Sequence, residues 1–152
     1  MTRLTPKHIA WFLPIAYMIH LFDEYFSGEG FPNWFSGLFK ANLSSNDFII
    51  INSVGFAATL IIVILYSFNK VNIFFIATLG TLFFINGLIH LLASAILMKY
   101  SPGTISGLFI YLPLGYLIFK KIFPLISEQQ RVLSVWVGII LQVIVAIIAL
   151  NI

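Results

Sequence analysis

The sequence predicts an all-α fold, a polytopic membrane helix bundle of five transmembrane helices with a short interfacial helix after the first, forming one domain over residues 1–152. Three observations predict it. Of the 152 residues, 61% are hydrophobic and only 9% charged, whereas a water-soluble domain carries about 25% charged residues. The length suits five spans of about 20 residues with short connections. Polar, Gly- and Pro-containing breaks divide the apolar stretches at Ser27–Asn46, Asn69-Lys70, Tyr100–Thr104 and Ser127–Arg131.

Composition also excludes several functions. Cysteine is absent, so there is no disulfide framework, thiolate metal site or cysteine nucleophile. The formal charge is +3, but its Lys and Arg residues stand at segment ends, where topology signals belong. Nucleic acid is therefore not expected as a partner.

In chain order, a basic and polar start, residues 1–8, precedes an apolar run from Ile9 to Phe26. No small-residue cleavage site follows it, so the run reads as a retained first span rather than a signal peptide. Pro14 should kink it by removing one backbone donor. In the connection 27–46, Phe31, Trp34, Phe35, Leu38 and Phe39 recur at helical spacing. They predict an amphipathic interfacial helix with Trp34 at the headgroups, serving as an anchor or as a lid over a lateral entrance.

The second span is expected from about Phe48 to Phe68, capped by Asn46 or Asp47, and the third from about Asn72 to Met98. The small residues Gly80, Gly87, Ala93 and Ser94 mark the third as an interior helix. Ser101 is expected to cap the fourth span, with Pro102 at its first position; that span ends near Phe119, and Pro113 and Gly115 should bend it. The fifth runs from about Val132 to Leu150, with Gln142 its one strongly polar interior residue. With five spans, Arg3, Lys7, Lys70, Lys120, Lys121 and Arg131 fall on the side of the N-terminus, and only Lys40 and Lys99 on the other. The positive-inside rule then predicts a cytoplasmic N-terminus and an external C-terminus.

Against this apolar background, His20, Asp23 and Glu24 stand out inside the first span. Residues three and four apart share a helix face, so both acids flank His20, and Tyr17 falls on the same side. Asn86 and His90 are likewise four apart in the third span. At about 1.5 Å per residue, His20 lies roughly 16 Å from Ile9 and Glu24 roughly 22 Å, while Asn86 lies roughly 20 Å from Ile73 and His90 roughly 26 Å. The two groups overlap in depth. An ionised acid at mid-span costs about 2.5–3.5 kcal/mol. Protonation, a histidinium partner or a bound cation would offset that cost, and each makes the cluster a functional candidate. The alternative is that Asp23 and Glu24 only mark the end of the first span.

The run His20-x-x-Asp23-Glu24 resembles the motif of the HXXEE-domain family of small bacterial membrane proteins, with aspartate in place of the first glutamate. Asn86-x-x-x-His90 and Tyr100-Ser101-Pro102-Gly103 look like the family's later motifs, and the resemblance covers most of the chain. It implies a bacterial cytoplasmic membrane and which residues matter, and no particular reaction.

The expected catalytic residues are His20, Asp23, Glu24, Asn86 and His90; the expected metal ligands are His20, Asp23, Glu24 and His90. Two histidines and a carboxylate suit iron or zinc as a divalent cofactor acting on a hydrophobic, lipid-like substrate from the bilayer. Two alternatives remain. One is metal-free acid–base isomerisation of a sterol- or isoprenoid-like lipid, similar in architecture to the emopamil-binding-protein-like isomerases but without a shared motif. The other is a non-enzymatic binding protein or accessory subunit of a membrane complex.

Overall fold

The computed structural model describes residues 4–151; Arg3, counted above among the basic residues, lies outside them. Regular structure among the described residues is entirely helical: α1 (Pro6–Phe26), α2 (Phe31–Phe39), α3 (Ser45–Ser67), α4 (Phe74–Leu97), α5 (Thr104–Ser106), a π-helical turn (Gly107–Tyr111), α6 (Leu112–Lys121), a 3₁₀ turn (Phe123–Leu125) and α7 (Glu128–Asn151). Four helical stretches are long and apolar enough to cross a membrane: Ser45–Ser67, Phe74–Leu97, Thr104–Leu125 and Glu128–Asn151. The sequence-based expectation was five. The difference is α1, whose 21 residues give it the length, while His8, Pro14, His20, Asp23 and Glu24 depress its hydropathy.

Local chemistry sets the helix ends. Thr5 caps α1 through a reciprocal capping box with His8, Pro6 occupies the first turn, and the helix continues through Pro14. The cap of α3 is Ser44, one turn earlier than expected, because Asp47 serves as the returning partner of the box rather than as the cap. Ser101 is not a helix cap either. Gly103 holds that position before α5, and no side chain caps it. The irregularity of the fourth span lies just before Pro113. The Leu112 N–H reaches back five residues to the Gly107 carbonyl, and Pro113 has no donor with which to resume the α-helical register immediately.

α4 is the central helix, with 50% of its span-length window buried against 17–28% for the other three. Small residues let its neighbours close in. A Cβ on Gly80 would sit 2.6 Å from Ile118 of α6, one on Gly87 would sit 3.0 Å from the Gly107 carbonyl oxygen, and one on Gly138 of α7 would sit 2.9 Å from Thr81. The main core joins Ile9 and Leu13 of α1, Val63 of α3, Ile76 and Phe83 of α4 and Ile118 of α6.

α1 lies antiparallel along the full length of α3. Near its start the Lys7 ammonium donates to the Ser67 carbonyl at 2.8 Å, at its middle the Tyr17 hydroxyl donates to Asn52 Oδ1 at 3.1 Å, and near its end the Tyr25 ring stacks on Phe48. In its second half the ionisable His20 and Glu24 are buried, while the apolar Ile15, Ile19 and Phe22 are exposed. A water-soluble helix has the opposite pattern.

The backbone oxygen facing Gly87 cannot move aside as a side chain can. Gly87→Val is therefore expected to destabilise the protein by about 1–3 kcal/mol. Gly37→Ala, where a Cβ meets open space, should leave stability unchanged or raise it. Thermal unfolding of purified protein in detergent checks both.

Candidate functional site

Glu24 and His20 are one helical turn apart on the buried face of α1, and α4 brings His90 against them. His90 Nε2 lies 3.1 Å from Glu24 Oε1, and His20 Nε2 lies 3.5 Å from the same oxygen. All three side chains are almost fully buried. One ligand atom from each falls within 4.8 Å of the other two. The depth match read from the sequence thus corresponds to direct contact.

The segment between α4 and the π turn fixes the rings from behind. His90 Nδ1 is 3.2 Å from Ser101 Oγ, and His20 Nδ1 is 2.7 Å from Ser106 Oγ. Ser106 Oγ in turn donates to Asp23 Oδ2 at 2.6 Å, so its lone pair is what faces the His20 ring. His20 must then donate from Nδ1, which leaves a lone pair on Nε2 in the neutral ring. That Nε2 is buried and has no hydrogen-bond partner among the described residues. The ring also stacks on Tyr111 of the π turn, with centroids 4.1 Å apart.

Gly103 completes the enclosure. Its φ of +93° is a left-handed conformation, and an added Cβ would lie 2.9 Å from Glu24, 3.0 Å from His20 and 3.0 Å from His90. Glycine is required there on both counts. Ser94 anchors the same turn by accepting from the Ser101 N–H at 2.9 Å and bonding the Thr104 hydroxyl at 2.7 Å.

The two acids have separate environments. Glu24 shares the histidines' face. Asp23 points toward the turn that leads into the π segment, where it accepts from the Ser106 N–H at 2.8 Å, from Ser27 Oγ at 2.6 Å and from the Tyr100 hydroxyl at 3.1 Å. Asp23, expected as a ligand beside them, is thus apart from the His20–Glu24–His90 group and connects to it through Ser106. Burial, together with the Asp23 charge, pushes the Tyr100 phenol above its ordinary range. Neither acid simply ends the helix, since α1 continues to Phe26.

A cavity of about 270 Å³ opens beside the cluster between α1, α3, α4 and α7, roofed by α2. Asn86 lines it, and its Oδ1 is buried without a hydrogen-bond partner. Trp34 differs from expectation. It is 7% exposed and packs with Phe35, Leu43 and Ala149 over the cavity, instead of presenting its ring outward as a headgroup anchor.

Ser106 was not singled out from the sequence, and Ser101 and Gly103 were read as a cap and as part of a family-like segment, not as groups that touch the histidines. The available signal was the segment Ser101-Pro102-Gly103-Thr104-Ile105-Ser106, three hydroxyl residues around a glycine just after the second histidine's helix. No curated protein and no solved structure matches the chain. A model of the family described as "Protein of unknown function with HXXEE motif" does match, over residues 11–118. That region contains His20, Asp23, Glu24, His90 and the serine turn that holds them, and the chain belongs to this HXXEE family.

Proposed function

We propose that the chain is a small membrane-embedded enzyme in which His20, Glu24 and His90 hold a divalent metal beside a cavity for an apolar, lipid-like substrate. One observation carries this reading: two imidazole Nε2 atoms and a carboxylate oxygen converge, buried, within 4.8 Å of one another, while the far side of each ring is engaged by a serine. A histidine lone pair facing a carboxylate calls for a positive charge between them, and hydrogen-bonded Nδ1 atoms are the usual support of Nε2 ligands. Two histidines and one carboxylate leave coordination positions open, which suits iron or zinc.

When bound, such an ion polarises a substrate oxygen or lowers the pKa of a bound water. The chain's own residues supply the rest. Ser106, held by Asp23, fixes the His20 ring; Ser101 orients His90; Phe31, Trp34 and Phe83 keep the cavity dry. The Asn86 carbonyl oxygen offers a hydrogen-bond acceptor beside the reacting centre.

A second reading, metal-free acid–base isomerisation, is favoured by the 3.1 Å approach of His90 Nε2 to Glu24, which a shared proton satisfies without a metal. The same experiment decides between the two. For the membrane, α1 has 21 residues against 23 in the candidate span α3 and lies along it, with His20 and Glu24 turned inward, which supports α1 as a fifth element within the bilayer. Lys7, Lys70, Lys120, Lys121 and Arg131 gather at one end of the bundle and Lys40 and Lys99 at the other, which supports a cytoplasmic N-terminus.

Elemental analysis of protein purified without chelator should find about one iron or zinc per chain, and chelation should lower the melting temperature, with recovery on adding metal back. Glu24→Gln and His90→Ala should lose the metal. A wild-type protein that neither carries nor responds to iron, zinc or manganese would overturn the metal reading in favour of acid–base chemistry. Asp23→Ala removes the acceptor that orients Ser106, so metal affinity should fall about 10–100-fold while full occupancy is still reached at high metal. Equilibrium titration against a metal buffer checks this. Gly103→Ala should abolish metal binding and lower the melting temperature, because its methyl group intrudes on all three ligands.

A further inference from the structure

The cavity has one polar wall and one apolar mouth. Its polar residues, including His20, Glu24, Asn86, His90 and Gln142, are all buried or half-buried. Each lining residue that is exposed is apolar: Leu38 40%, Phe39 52%, Ile89 45% and Val145 42%. α3 and α7 both contribute to the lining yet make no extensive packing contact with one another. A molecule reaching the site therefore passes an apolar rim and meets polar atoms only at the inner end.

The inner end is selective in sign and in hydrogen-bonding sense. Asn86 Oδ1 is a buried acceptor without a partner, so it calls for an O–H or N–H donor. No Lys or Arg lines the cavity to pair with an anionic head. The apolar rim gives a charged head no favourable path from water.

We propose that the cavity binds a neutral, single-chain amphiphile head-inward: a hydroxyl or amide N–H donates to Asn86 Oδ1 next to His20, Glu24 and His90, and an aliphatic tail leaves past Val145 and Leu38 between α3 and α7. The inference deepens the enzyme reading, on which it rests for the identity of the reacting end, by naming the substrate class as a long-chain alcohol or amide rather than a fatty acid or a plain hydrocarbon.

The test uses radiolabelled 1-dodecanol and full-length protein in lipid nanodiscs, with binding to empty nanodiscs subtracted. Saturable binding at about one per chain is expected, with competition by unlabelled dodecanol and at least about tenfold weaker competition by dodecane and by dodecanoate. Asn86→Leu should weaken dodecanol binding at least about tenfold and leave dodecane unaffected. Val145→Trp, at the exposed rim, should reduce dodecanol binding to a similar extent without lowering the melting temperature, and it serves as the test if Asn86→Leu does not fold. Equal competition by dodecane or dodecanoate, unchanged binding in a folded Asn86→Leu, or no saturable binding would overturn the proposal. Metal content measured on the same preparations separates the two readings. Metal with no preference for the alcohol leaves the metal centre and removes this substrate class. Alcohol binding that depends on Asn86 in metal-free protein keeps the amphiphile site and removes the metal centre.

Discussion

The interaction on which the rest of the structure depends is the approach of two histidine Nε2 atoms to one oxygen of Glu24. A buried carboxylate is costly unless its charge is matched and its lone pairs are engaged, and removing one partner from such a group is worse than never having built it. The fold answers that demand from three directions. α1 supplies the acid and one ring, α4 supplies the second ring, and the segment from Ser101 to Tyr111 supplies hydroxyls and an aromatic face that hold both rings. Each of these elements then needs its own close approach, which is why glycine recurs where they meet, at Gly87, Gly103 and Gly107.

The distribution of polarity follows from the same demand. Outward-facing side chains on α1 and α7 are overwhelmingly aliphatic or aromatic, while His20, Glu24, His90, Ser101 and Ser106 are buried together inside the bundle. Glu29 and Lys99 form an ion pair 2.8 Å apart that is well exposed, and such a pair contributes little. The internal polar network therefore carries the specificity of the fold, and the aliphatic exterior matches it to a hydrocarbon environment.

Much of this was legible in the sequence. Helical spacing placed Glu24 on the face of His20, and the parallel count along α1 and α4 placed His90 at the same level; both hold because rise per residue is nearly invariant in a helix. The interior position of α4 was visible in its small residues. The different fates of Asp23 and Glu24 were not. Spacing of three and of four both put an acid near His20, and which of them turns inward depends on Ser106, 83 residues away from Asp23. The π turn was equally hidden, since Pro113 announces a disturbed helix without saying on which side the extra residue is absorbed. Trp34 misled for a related reason. Aromatic residues in a short amphipathic segment suit a membrane interface and the roof of an apolar cavity equally well, and only tertiary packing separates the two.

The distance in sequence between Asp23 and Ser106 also has a meaning for biosynthesis. At ordinary translation rates of about 5–20 residues per second, Ser106 follows Asp23 out of the ribosome by about 4–17 s. Until then α1 carries two acids with only their local partners, His20 and Ser27, and by composition it is less apolar than the four candidate spans that follow it. Alone, α1 is thus poorly suited to a hydrocarbon environment, and its acids gain their distant partners only once α4 and the serine turn have been synthesised, which makes assembly of the histidine–glutamate cluster a late event.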